Sequence, residues 1–67
     1  MNKFGEQLKS LRESKNLALT EASRLLSIPQ SRLVELERGI RIPTPGQVER
    51  LEKFFQVHPG MLAALMQ

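Results

Sequence analysis

Leu26 closes one short amphipathic segment and Pro29 opens the next, so only Ser27 and Ile28 stand between two helical stretches. A link that brief forces the two helices to cross steeply, with a turn in place of a loop. Ser23, a small residue in the first stretch, lets the backbone of the second come close. The rest of the chain has to pack around this corner. With 67 residues it is read as one domain, 1–67, in the range where a single core is marginal unless helix packing or dimerisation helps.

The flanking pattern predicts more helices. From Lys3 to Ser14 the residues Phe4, Leu8 and Leu11 recur at helical spacing and mark one apolar face. Asn16 and Leu17 break the chain before Leu19 to Leu26, where Ala22, Leu25 and Leu26 are expected to face the core. Pro29, with its fixed φ and no N–H, suits the first turn of a third helix running to about Arg38. Leu33 and Leu36 point inward there, and Gly39 is the expected left-handed C-cap. After a turn over Ile40 to Pro43, the series Thr44, Pro45, Gly46, Gln47 reads as N-cap, first-turn proline and capping box. Val48, Leu51 and Phe55 give the fourth helix its buried face, and His58 and Pro59 precede a last helix through Met66. No segment shows strand alternation. The expected fold is all-α, a compact five-helix domain.

Composition narrows the function. With no Cys, neither disulfides nor thiolate metal sites are possible. With no Asp, no Tyr and one His, the groups for a nucleophile, a base and an orienting partner are too few, and no enzyme is expected. Glu35 and Glu37 point in different directions on a helix and do not form an acid/base pair. His58 reads as a cap or surface residue, and neither metal nor cofactor is expected. The amino terminus lacks an apolar h-region and Met61 to Met66 is too short to span a bilayer, so a cytoplasmic location is expected. Ten Lys plus Arg against seven Glu give a charge of +3, which suits a polyanionic partner.

The fragment "LTEASRLLSIPQSRLVELERG", from Leu19 to Gly39, resembles the Cro and lambda-repressor family of regulators, also called the xenobiotic-response-element family. "FGEQLKSLRE", "IPT" and the tail "FFQVHPGMLAAL" extend the resemblance over nearly the whole chain. It implies a lambda-repressor-like helix-turn-helix domain of a bacterial or phage-encoded transcriptional regulator, a repressor acting as a homodimer on double-stranded DNA. Its third helix would lie in the major groove. Carried over by position, Gln30, Ser31, Arg32, Val34 and Glu35 would meet base edges, and their amide, guanidinium, methyl and carboxylate groups suit that readout. Arg38 and Arg41 would meet phosphates, as would the start of the second helix at Leu19. The resemblance also implies a structural pair, Arg12 with Glu37, fastening the first helix to the end of the third. Met61, Leu62, Leu65 and Met66 carry more apolar surface than so small a core calls for, and are expected to form the dimer interface on a pseudo-palindromic operator.

Three residues differ from the family pattern. Leu19 stands where a phosphate-binding glutamine is usual. Ser27 replaces the turn glycine, at about 1 kcal/mol if the position needs positive φ. Glu35 brings negative charge to the face that would approach phosphates, so a donor or nearby arginines must match it. Leu19 and Val34, both expected to be exposed, also support a second reading, a protein-interaction module of the same fold that binds a partner regulator or enzyme.

Overall fold

The computed structural model describes residues 3–66. Five helices follow one another: α1 (Lys3–Ser14), α2 (Leu19–Leu26), α3 (Gln30–Arg38), α4 (Pro45–Phe55) and α5 (Met61–Ala64). Among the described residues there is no strand. Phe4 and Leu8 of α1, Ala22 and Leu26 of α2, Leu33 and Leu36 of α3, Val48, Leu51 and Phe55 of α4, and Leu62 of α5 meet in one buried cluster. Ile28, in the turn between α2 and α3, completes it. Leu11 packs only at its edge.

Each corner has a local cause. Asn16 and Ser27 both adopt left-handed backbone, with φ of 56° each, and end α1 and α2. The α2–α3 turn is therefore built with a serine in a conformation that favours glycine. It is fastened twice, because the Ser23 hydroxyl donates to the Ile28 carbonyl and the Ile28 amide donates to Ser23 O at 3.1 Å. Gly39, with φ of 78°, stops α3, and the Ile40 amide donates to Glu35 O at 3.1 Å. At α4 the capping box is complete: Gln47 N donates to Thr44 Oγ1 at 3.1 Å and Thr44 N donates to Gln47 Oε1 at 2.9 Å. At α2 the N-cap is Ala18, which offers no side-chain acceptor, so only Glu21 reaches back to the cap amide.

Three details depart from the pattern read in the sequence. Leu25 is 47% exposed, because neighbouring residues on a helix diverge by about 100° and Leu26 takes the core position. Pro29 is the N-cap of α3, one residue before its first turn. Helix α5 is a single turn that ends at Ala64, short of Met66.

Among the described residues, Arg12 and Glu52 are the charged residues that are buried, and both have partners. Arg12 Nε and Nη2 donate to Glu37 Oε2 and Oε1 at 2.7 and 3.2 Å, and Arg12 Nη1 donates to Leu17 O at 2.7 Å. One guanidinium thus ties α1 to the end of α3 and to the turn before α2. The hydrogen bond to Glu37 raises the Arg12 pKa above its ordinary value. Glu52 on α4, 7% exposed, accepts from Leu62 N at 3.0 Å and Ala63 N at 3.2 Å, so a carboxylate supplies the amides of α5 with acceptors. Gly5 on α1 packs against the last turn of α3, where a Cβ would come within 2.8 Å of Leu36 O and closer still to Glu37 O.

Candidate nucleic-acid interface

Burying Leu33 and Leu36 fixes the rotation of α3 and decides which residues it shows to solvent. Gln30, Ser31 and Arg32 are exposed on its first turn, and Val34 and Glu35 are half-buried beside them. Arg38 is exposed at the other end, and Arg41 follows in the loop before α4. The sequence-predicted readers and phosphate contacts of α3 and its loop are thus at or near the surface of one helix and its continuation. Leu19 is separate: it opens α2, is half-buried and packs against the core. The exposure expected of it is therefore reduced.

The charges on this face are connected. Arg41 Nε donates to Glu35 Oε1 at 2.6 Å, and Arg32 Nε lies 3.8 Å from the same oxygen. Glu35 therefore sits between two cations that the sequence reading assigned to bases and phosphates. Such partly exposed pairs contribute about 0–1 kcal/mol each, so they rearrange readily.

The loop holds a feature that the sequence reading missed. Ile40 is 66% exposed and Ile42 83%, on either side of Arg41. Their alternation with an arginine in a turn was a visible signal. At the far end, Leu62 is fully buried in the protomer's own core, so its side chain closes this core and is not available to a second copy. Met61 and Leu65 are half-buried and Met66 is exposed. Met66 lines a groove of about 430 Å3 with Pro43, Pro45, Val48 and Ala63, and Glu49 and Glu52 complete the lining.

Arg50 Nη1 donates to the Leu26 carbonyl at 3.0 Å, so α4 holds the last turn of α2. Among the described residues no three His, Cys, Asp or Glu side chains gather as a metal site would require, and no helix is long and apolar enough to cross a membrane. A family model described as helix-turn-helix matches residues 8–62, which takes in most of α1 and everything from α2 to the start of α5. Among curated proteins and among solved structures nothing matches the chain.

Proposed function

Since the chain belongs to the helix-turn-helix family of DNA-binding regulators, we propose that it is a sequence-specific repressor of transcription that places α3 in the major groove of double-stranded DNA. The motif "LTEASRLLSIPQSRLVELERG" supports a place among the xenobiotic-response-element regulators of that family. The observation that carries the reading is the polar, exposed first turn of α3, Gln30 to Arg32, presented opposite the buried Leu33 and Leu36. A side-chain amide pairs with adenine and a guanidinium with guanine, and Val34 is placed for a thymine methyl. Glu35 accepts from cytosine. Arg38 and Arg41 hold phosphates, and at Leu19 the backbone amides of α2 take the place of a side-chain donor. Two copies meet through Met61, Leu65 and Met66, which puts two α3 helices on half-sites about 10 bp apart.

Titration with random duplex DNA over a range of salt tests this directly. Binding is expected at low salt with log K falling linearly in log salt, since cations on the protein displace counterions from DNA. Ile40 and Ile42, both strongly exposed within the short loop before α4, favour the second reading, a module that binds a partner protein. Its signature is the absence of DNA binding at every salt concentration.

A further inference from the structure

Glu35 lies within the surface assigned above to DNA, and its carboxylate already has partners on that surface. The same oxygen faces Arg41 Nε at 2.6 Å and Arg32 Nε at 3.8 Å. The side chains of Glu35, Arg41 and Arg32 are 36%, 42% and 46% exposed, so these pairs stand in water and can be exchanged. A phosphate offers a guanidinium much the same planar pair of acceptors as a carboxylate does. Glu35 and the DNA, through guanine and phosphate, therefore compete for the same two arginines.

We infer that Glu35 is a sequence-dependent latch, a specificity-determining residue that withholds Arg32 and Arg41 from guanine and phosphate until a base takes the carboxylate. On a duplex with no donor at the facing position, Glu35 keeps its arginines and its own charge repels the backbone. Where a cytosine amino group donates to the carboxylate, both guanidinium groups are released at once to phosphate or guanine. An arginine neutralised from within displaces no counterion, so binding to random sequence has a shallow salt dependence and binding to the preferred sequence a steep one. The inference rests on the reading of this face as a DNA interface and concerns its discrimination.

The test compares Glu35→Gln with Glu49→Gln. Both remove one negative charge, but Glu49 belongs to α4, where it pairs with Lys53 at 3.8 Å. On random duplex, Glu35→Gln is expected to bind about tenfold more tightly than Glu49→Gln, with a salt slope steeper by about one to two units. Sequences selected from a random pool by the wild-type protein are expected to share a G·C pair at one position, which Glu35→Gln no longer selects. Equal affinity and slope for the two variants overturns the latch and leaves the DNA interface standing, as does a G·C preference retained by Glu35→Gln. If the wild type and both variants all fail to bind at low salt, the interface itself is wrong and the latch falls with it.

Discussion

Replacing Gly5 by alanine adds a single methyl group where α1 packs tightly against α3. That methyl would meet Leu36 O at 2.8 Å and crowd Glu37 O and C as well. These atoms belong to backbone and cannot rotate away. Leu36 O also accepts from the Gly39 amide at 3.3 Å, so pushing it aside disturbs the cap of α3. Alanine in mid-helix gains about 0.5–1 kcal/mol over glycine. Forcing a methyl into a packed contact costs about 1–3 kcal/mol, and the helices also draw apart where Arg12 must reach Glu37. The clash wins, with a net loss of about 1–2 kcal/mol. For a domain this small each kcal/mol moves Tm by about 4–8 °C, so a fall on the order of 10 °C is expected in thermal unfolding followed by circular dichroism. Gly46→Ala supplies the opposite sign, since its Cβ would meet only Thr44 Oγ1 at 4.0 Å. That variant should hold or slightly raise Tm. A Gly5→Ala protein as stable as the wild type would refute the close approach of the two helices.

Ser27→Gly relieves a left-handed serine at φ 56° and should stabilise the fold by about 0.5–1 kcal/mol, seen as a higher urea midpoint; a lower midpoint would contradict the strain assigned to the turn. Glu52 is held below the ordinary carboxylate value, first by the Gly60 amide and then by those of Ala63 and Leu62, against the opposing effect of burial. Its contribution is therefore complete above the unfolded value of about 4.3 and lost as pH falls through the lower native one. Thermal scans from neutral to acid pH should show Glu52→Gln losing less stability on acidification than the wild type, and parallel curves would refute the role. On DNA, Gln30→Ala should cost about 1–3 kcal/mol on the preferred site with little change on random duplex. Arg38→Ala should weaken both alike and lower the salt slope by about one unit, and the reverse pattern in mobility-shift titrations would exchange their roles.

What the sequence reveals here is what depends on neighbours in the chain. The apolar spacing in α1, α3 and α4, the stop at Gly39 and the reciprocal cap of Thr44 with Gln47 involve groups within a turn of one another. Long-range partners were hidden. Glu52 has nothing in its own segment that points to the amides of Leu62 and Ala63, and Arg50 none that points to the Leu26 carbonyl. Gly5 reads as an ordinary weak helix residue until α3 is laid against it. Leu62 looked surplus because an apolar tail is equally suited to closing a core or covering a neighbour, and only packing against α4 separates the two. At the interface the residue types on α3 were legible. That a donor or nearby arginines must match Glu35 was legible too, but that Arg41 is its partner was not, because the pairing spans the turn after the helix.

The guanidinium of Arg12 joins α1, the Leu17 carbonyl and the end of α3, and the far end of α3 begins directly from the fastened turn at Ile28 and Pro29. On the proposed reading, the helix that would enter the groove is thus prefabricated. Little chain remains to be ordered when it docks, so the heat capacity change of binding should reflect the surface covered, without the larger drop that accompanies coupled folding. The encounter is also simpler in kinetic terms. A rigid reader of the proposed kind would sample one register of the duplex and move to the next without refolding between steps, its search along DNA limited by the release of phosphate contacts.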